Sequence, residues 1–335
     1  MFYEFFFLSL IILIFFFFIE KKIGYTFFPF DNPDNFKKKH LRPTALSGGI
    51  YICAFIISVF TFFYFFYNEN LENFKIIIIM SILSFFIGLY DDKYYFQPSS
   101  KLLLNGVVVL FFVINYNFLN ITSVNSSILN MKLSLGFYSF FFSTFCFLLL
   151  INALNMTDGI NSLTVGISII WLTSILYFFN PSYLKLIIFI ILFLIYIFFK
   201  IYHENFFLGD NGTHLLSTFI GGIIIYEYNL QPSKIYVEEI FLILSIPGID
   251  MLRLFIQRIY NKKNPFLGDR NHLHHLLIDN FNLKTSLIIY YSIMIIPIFL
   301  SKILIKNDVF SILLILFLYF ILIIYLKLKK SLKST

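Results

Sequence analysis

Long apolar runs constrain the fold of this chain more than any other feature of its sequence. Eleven runs of roughly 17–23 residues are long enough to cross the hydrocarbon core of a bilayer as helices. They lie near residues 2–19, 48–67, 73–90, 101–117, 137–154, 163–179, 182–199, 212–229, 235–257, 285–304 and 308–327. Backbone groups that face lipid must be hydrogen-bonded within their own segment, so helices are the expected spanning elements. A hydrophobic share of 59% also exceeds what a soluble domain needs.

The sequence therefore predicts an all-α, polytopic integral membrane protein with about eleven transmembrane helices, in which residues 1–335 form one domain. No basic residue precedes the first run, and Lys21 and Lys22 follow it, which favours an uncleaved anchor with its N-terminus outside. This orientation places the C-terminal tail and 19 of the 25 Lys and Arg residues on the cytoplasmic side. The six exceptions are Lys75, Lys132, Lys185, Lys234, Lys302 and Lys306.

Polar residues suited to chemistry lie in five gaps between the runs, and the predicted topology places all five on the inside. These gaps are 20–47, 91–101, 155–162, 200–211 and 258–284. Ionisable residues confined to one face of a helical bundle indicate a single active site on that face. The longest outside segment, 118–136, is predicted as a polar loop without recognisable chemistry.

Two of the gaps carry acids beside the ends of predicted spans. The adjacent carboxylates of Asp91 and Asp92 repel each other, so they require a counter-charge, a metal ion or water, and Lys101 follows ten residues later. A solvated pair that caps a helix end is the simpler interpretation of these two residues alone. Asp210 stands between Gly209 and the Asn211-Gly212 pair, where its carboxylate lies beside backbone N–H groups that suit Mg²⁺ and phosphate together. An ordinary helix N-cap is the alternative for Asp210.

The gap around residue 158 is rich in asparagine. Asn152, Asn155, Asn161 and Asp158 supply hard oxygen ligands and amide hydrogen bonds, and Gly159 permits a tight turn. An ordinary turn in which Asp158 caps the next helix explains the same residues equally well.

The gap around residue 270 carries histidines and basic residues. Its candidate binding residues are Arg270, His272, His274 and His275. A zinc site is disfavoured because adjacent histidines do not easily face one ion and no thiolate lies nearby. With Lys262 and Lys263, the segment suits a negatively charged group such as pyrophosphate, and a basic loop at the membrane surface is the alternative.

Asp250 stands just inside a predicted span, with Arg253 three residues later on the same helix face. An acid at that depth is a functional candidate, and a local ion pair is the equally good alternative.

Taken together, these motifs resemble those of the polyprenyl-phosphate N-acetylhexosamine-1-phosphate transferases, in the family's order, from His40 to His275. The matching motifs are Asp91-Asp92 with Lys101, Asn152 to Leu163, Phe207 to Thr213, and Asp269-Arg270-x-His272-x-His274-His275. The last form matches the branch that initiates O-antigen, teichoic acid or related glycans, whereas the peptidoglycan branch usually carries three consecutive histidines. The chain departs from the family pattern at Asn161-Ser162, where Asp-Gly is common, at Thr213, where Ser is common, and at Ala45, where Pro is common.

The resemblance implies a reaction at the cytoplasmic face of the cell inner (plasma) membrane. HexNAc-1-phosphate would pass from a UDP-N-acetylhexosamine, UDP-GlcNAc first among the donors, to undecaprenyl phosphate, and UMP would leave. The implied cofactor is Mg²⁺, with Mn²⁺ as an alternative. No nucleic-acid partner is implied, and a homodimer stays open.

The resemblance also implies roles for individual residues. The implied catalytic residues are Asp91 as base for the lipid phosphate, Asp92 in support of metal or lysine placement, Lys101 on phosphate, and Asp210. Asp210 and Asn155 would bind the metal ion. The implied substrate-binding residues are Phe207 stacked on uracil, Asn161 on the uridine, Arg270, His272, His274 and His275 on the pyrophosphate or sugar, with Asn152 and Asp158. One-step transfer and a covalent two-step mechanism both stay open.

Three other interpretations compete with this one. A multi-span transporter would also carry many helices and acids, but transporters place ionisable residues near the midplane and show repeats. A phospho-N-acetylmuramoyl-pentapeptide translocase is the alternative within the same enzyme class. An inactive scaffold is the third, because Asn161-Ser162 replaces a charged residue of the family pattern.

Overall fold

Helices dominate the computed structural model, which describes residues 29–31, 44–66, 71–181, 183–203, 206–231, 234–264, 269–301 and 308–334. Its helices are α1 Gly48–Phe66, α2 Glu72–Tyr94, α3 Pro98–Asn115, α4 Ser139–Asn155, α5 Leu163–Phe179, α6 Leu184–Tyr202, α7 Gly209–Leu230, α8 Val237–Tyr260, α9 Leu273–Asn280, α10 Leu283–Phe299 and α11 Asp308–Ser334. Two antiparallel pairs of short strands complete it, β1 Phe30–Asp31 with β2 Thr44–Ala45 and β3 Ser123–Ser126 with β4 Met131–Ser134. The first predicted span, 2–19, and the residue His40 lie outside the described residues.

The predicted all-α membrane class is confirmed. Each predicted run after the first overlaps a long helix, namely α1 to α8, α10 and α11. Within the described ranges, six helices are long and apolar enough to cross a membrane: α1, α2, α3, α4, α6 and α11. Helices α5 and α10 are apolar but shorter. The count of eleven spans and the orientation of the termini stay predictions.

The segment 118–136 differs from its prediction as a loop, because it contains the β3–β4 hairpin. Val124 pairs with Leu133 in its antiparallel register. Glu238, in the first turn of α8, accepts hydrogen bonds from the N–H groups of Ser127 and Ile128 at 3.2 Å each. Four-residue strands hold too few residues to show alternation in the sequence, and tertiary contacts with Glu238 stabilise the turn.

Helix α7 lies at the centre of the bundle. Of its 22 residues, 18 are buried, which a helix with one face in lipid would not show. It packs against α2 most extensively, and also against α1, α4 and α5. Because other helices surround it, α7 tolerates polar residues that lipid would exclude.

Two glycines allow the neighbouring backbones to approach the first turn of α7. A Cβ atom on Gly88 of α2 would lie 2.4 Å from the carbonyl oxygen of Asp210. A Cβ atom on Gly49 of α1 would lie 2.3 Å from the backbone nitrogen of Gly212. Small residues at such crossings let membrane helices pack backbone against backbone. The polar start of α7 is therefore enclosed by α1 and α2.

We predict that Gly88→Ala destabilises the protein, because the new methyl group would overlap the backbone of α7. Overpacking of this kind costs about 1–3 kcal/mol. Gly248→Ala on α8 is the matched control, since its Cβ would meet nothing within 4 Å and alanine favours a helix by about 1 kcal/mol. Melting temperatures in detergent compare the two, and equal values would contradict the close packing of α2 on α7.

Candidate active site

The first turn of α7 is capped by a carboxylate from another helix. The helix's own N-cap residue, Leu208, makes no side-chain cap hydrogen bond. Asp92, near the end of α2, accepts hydrogen bonds from the N–H of Asp210 at 2.9 Å and from the N–H of Asn211 at 3.0 Å. These N–H groups have no partner within their helix, and the helix dipole favours a negative charge beside them. Asp92 therefore fixes the start of α7, because it accepts the hydrogen bonds of two N–H groups that the helix itself leaves unpaired.

Asp91 turns towards a different partner, because adjacent helical positions point about 100° apart. Its Oδ2 atom accepts a hydrogen bond from the Lys101 ammonium at 2.5 Å, and the same ammonium contacts the carboxylate of Asp210. The three residues are separated by ten and 109 positions along the chain. The structure thus brings together three of the four predicted catalytic side chains, and Lys101 is the counter-charge that the acids require. Asp92, the fourth, lies behind them as the cap of α7.

The predicted metal pair, Asp210 and Asn155, also lies together. The Asn155 amide donates to the hydroxyl of Thr213 at 3.1 Å and interacts with the Asp210 carboxylate. The Thr213 hydroxyl donates to the carbonyl of Asp210 at 3.0 Å. Threonine at this position keeps the hydroxyl that the serine of the family pattern would provide.

These oxygen donors fit a magnesium ion that takes its other ligands from the substrate and from water. The cluster holds three carboxyl groups, those of Asp91, Asp92 and Asp210, and one ammonium, that of Lys101. In the part of the chain that the structure describes, no three His, Cys, Asp or Glu side chains form a complete metal site. Mg²⁺ is commonly held by one or two carboxylates, with water and substrate phosphate as its other ligands. Asp210 and Asn155 are suitable as the protein ligands.

The asparagine-rich segment contacts the histidine segment directly. A Cβ atom on Gly159 would lie 2.3 Å from Nε2 of His274 and 3.0 Å from Cε1 of His275. Only glycine therefore allows the two segments to approach this closely. Asp158, beside this contact, accepts a hydrogen bond from the hydroxyl of Thr164 in the first turn of α5 at 3.2 Å. Two segments predicted to bind the same substrate thus share one surface.

The histidines that follow the loop lie on the short helix α9, which was not predicted, because eight residues show too little periodicity. Burial lowers the pKa of His275 to about 4, with the positive charge of Arg270 as the next cause. Burial and the neighbouring histidines also hold the pKa of His274 well below its usual value. Both imidazoles are therefore neutral at pH 7, and Arg270 is a positively charged residue beside them.

The remaining predicted substrate-binding residues occupy separate positions. Phe207 is held by its backbone, which donates to Ala45 at 2.9 Å and accepts from Gly48 at 3.0 Å, and its side chain is partly exposed. The Asn152 amide donates to a carbonyl of its own helix, and Asn161 is partly exposed. Their roles towards uridine stay predictions.

Sequence reasoning missed the partners of Asp250. The predicted contact with Arg253 is present at 2.9 Å, but the carboxylate also contacts Nδ1 of His272 at 2.8 Å and the hydroxyl of Tyr319 at 2.6 Å. These partners lie 22 and 69 residues away, beyond the reach of any helical spacing. No signal in one sequence joins them.

We predict that Asp92→Ala destabilises the protein more than Asp91→Ala does. Loss of an N-terminal cap costs about 0.5–2 kcal/mol. Asp91→Ala removes a partner of Lys101 but also removes a negative charge beside Asp210, so its net cost is smaller. Melting temperatures in detergent measure both variants. The reverse order would show that Asp92 does not hold α7.

A second prediction concerns acid. His275 titrates at 6.5 when unfolded and at about 4 in the fold, so the unfolded chain binds the proton more readily between these values. Its contribution to stability is complete above pH 6.5 and declines as the pH falls towards 4. His275→Gln should therefore show a smaller loss of melting temperature between pH 7 and pH 4.5 than the unaltered protein. Lys200→Gln on α6 is the control, and an equal loss in all three proteins would contradict a buried neutral His275.

Comparison with known proteins adds independent information on this site. Residues 74–228, which include Asp91, Lys101, Asn155 and Asp210, match the profile of Glycosyl transferase family 4. The chain is similar to the undecaprenyl-phosphate alpha-N-acetylglucosaminyl 1-phosphate transferase of Escherichia coli O157:H7. The two are 26% identical over 269 residues, which cover 78% of this chain and 71% of that protein.

A relative from a distant bacterium covers more of the chain. It is the protein of Bacillus subtilis (strain 168) named as a probable undecaprenyl-phosphate N-acetylglucosaminyl 1-phosphate transferase. The identity is 25% over 328 residues, which cover 96% of this chain and 89% of that relative. The likeness therefore extends over nearly all predicted spans, beyond the segment that the family profile matches.

Proposed function

We propose that this chain, a member of Glycosyl transferase family 4, transfers N-acetylhexosamine 1-phosphate from a UDP-linked sugar to undecaprenyl phosphate. The names of the relatives favour N-acetylglucosamine as the sugar and undecaprenyl phosphate as the acceptor, and the sequence motifs imply that UDP-GlcNAc is the donor. The product would be undecaprenyl-diphosphate-HexNAc, the first intermediate of a lipid-linked cell-envelope glycan such as O-antigen or teichoic acid.

The observation that carries the proposal is the Lys101 ammonium held between the carboxylates of Asp91 and Asp210 at the start of a buried helix. Phosphoryl transfer depends mainly on the positioning of charged groups and on neutralisation of phosphate charge. An oxygen of the lipid phosphate attacks the phosphorus that bears the sugar, and the bond from that phosphorus to the oxygen of UMP breaks. Lys101 would bind phosphate oxygens, and Asp91 would take the remaining proton of the lipid phosphate.

Asp210 and Asn155 would hold Mg²⁺, which would supply positive charge to the diphosphate and to the departing UMP. The excess of carboxyl groups over ammonium groups in the cluster supports a divalent cation there. The neighbouring surface between the asparagine-rich loop and α9 would bind the rest of the donor. Arg270 would supply positive charge to its diphosphate, and Phe207 and Asn161 would contact its uridine.

An apolar cavity supports a lipid acceptor. It has a volume of about 280 Å³ and lies between α4, α7 and α8. Its lining includes Phe142, Leu150, Ala153, Ile224 and Leu244, and Ala153 lies two residues before Asn155. A polyprenyl chain in this cavity would have its phosphate directed towards the acid cluster, with the reaction on the cytoplasmic face of the membrane.

We predict that Lys101→Ala and Asp210→Ala lower the rate of UMP release by about 100- to 1,000-fold, as is typical when one charge-stabilising group is removed from an active site. The assay uses purified protein with Mg²⁺, undecaprenyl phosphate and a panel of UDP-HexNAc donors. Glu72→Gln is the matched control, because this exposed acid lies at the opposite end of α2 from Asp91, where it pairs with Lys75 at 3.8 Å and accepts from the Tyr64 hydroxyl at 3.0 Å.

The controls separate the competing interpretations. UMP release that requires both lipid and Mg²⁺, and that the Glu72→Gln variant retains, supports the transferase. Activity with UDP-MurNAc-pentapeptide alone would instead identify the peptidoglycan translocase. Folded protein that releases no UMP from any donor contradicts the proposal, as do Lys101→Ala and Asp210→Ala variants with full activity.

A further inference from the structure

The carboxylate of Asp250 holds the start of helix α9 from a neighbouring helix. Asp250 lies on α8 and is buried. The N–H of Leu273, the first residue of α9, donates to both of its oxygens at 3.2 Å. The N-cap residue of α9, His272, makes no cap hydrogen bond of its own. Asp250 therefore supplies the cap for α9.

The same carboxylate binds the ring of His272. Its Oδ2 atom lies 2.8 Å from Nδ1 of the imidazole, and both side chains are buried. Because a carboxylate only accepts, Nδ1 must carry the hydrogen of this bond. A ligand can then bind the ring only through the other nitrogen, Nε2. The contact fixes both the orientation of the ring and the atom that acts.

Two further groups hold Asp250 itself. The Arg253 guanidinium donates to Asp250 at 2.9 Å and to the carbonyl of Asn271 at 2.7 Å, so it fixes the residue before His272. The Tyr319 hydroxyl on α11 donates to Asp250 at 2.6 Å and accepts from Arg253 at 2.7 Å. Side chains from α8, from the start of α9 and from α11 thus contact one carboxylate, which is more contacts than a local ion pair at a helix end would need.

Charged groups and other imidazole rings surround His272. Asp250 lies against Nδ1, and Asp269, also near the ring, is paired with Arg258 at 2.9 Å. The ring of His274 stacks on His272 with centroids 5.5 Å apart, and that histidine is neutral at pH 7. Other titratable groups near these rings are Arg253, Arg270, His275, Asp279, Tyr290 and Tyr319.

We propose that Asp250 is a positioning residue that holds the His272 ring with Nδ1–H against its carboxylate, so that Nε2 is the ring atom that contacts the bound diphosphate substrate. This inference rests on the proposed function for its substrate class. The hydrogen bond at Nδ1 fixes the ring, and the cap of α9 fixes the backbone that carries it. Asp250 itself does not touch the substrate.

A comparison of KM with kcat tests this role. Asp250→Asn preserves the shape of the side chain, but its amide N–H can donate to Nδ1, which moves the ring hydrogen to Nε2 and changes the atom presented to the substrate. We expect kcat/KM to decrease about 10- to 100-fold, mostly through a higher KM for the UDP-sugar.

Two further variants make the test specific. Tyr319→Phe disturbs the same cluster but leaves the Asp250 carboxylate to accept from Nδ1, so KM for the UDP-sugar should stay close to that of the unaltered protein. Asp250→Asn should add no further loss to His272→Gln, because both act through one ring. If Tyr319→Phe raises KM as much as Asp250→Asn does, or if the loss from Asp250→Asn adds fully to that from His272→Gln, Asp250 only supports the helices and the inference is overturned.

A spectroscopic measurement separates this inference from the proposed function. ¹⁵N-histidine NMR of the protein in detergent reports the protonated nitrogen of each ring, and His272→Gln assigns the signal. We expect a protonated Nδ1 for His272 that Asp250→Asn alters while the other histidine signals stay in place. This result needs no substrate, so it holds or fails even if no donor releases UMP. A His272 ring protonated at Nε2 alone would overturn the inference.

Discussion

The hydrogen bonds from the first turn of α7 to the Asp92 carboxylate are the interaction on which the rest of the site depends. They join α2 to the central helix of the bundle and fix the residue at which α7 begins. Asp210 then lies beside Asp91, and the resulting concentration of negative charge explains why Lys101 lies between them. Gly88 and Gly49 contribute by allowing the backbones to meet.

A helix start that is capped by a carboxylate from a neighbouring helix occurs twice in the described part of the chain. Asp92 caps α7 from α2, and Asp250 caps α9 from α8, in each case at a helix whose own N-cap residue makes no side-chain cap hydrogen bond. An acid buried in a membrane bundle is costly unless charges and donors surround it. Here each capping acid satisfies a helix terminus and also positions a neighbour that could act on phosphate, Lys101 through Asp210 in the first case and His272 in the second.

Local sequence signals predicted the helices and the side of the membrane on which the acids lie. The apolar runs predicted the long helices because bilayer thickness fixes their length, and the charge topology placed Asp91, Lys101 and Asp210 on one face, whereas their individual roles came from the family resemblance. The distinct tasks of Asp91 and Asp92 could not be predicted, since the partner of Asp92 lies 118 residues away. The contact of Asp250 with His272 and the β3–β4 hairpin were missed for the same reason, as tertiary contacts create both.

A cryo-EM map of the protein with UDP-GlcNAc and Mg²⁺ would test the central claim most directly, that the start of α7 is the site of phosphoryl transfer. The account predicts density for the diphosphate against Lys101 and Asp210, with the Lys101 ammonium displaced from at least one of its two carboxylates. Nucleotide density at another surface, with Lys101 still between Asp91 and Asp210, would contradict it.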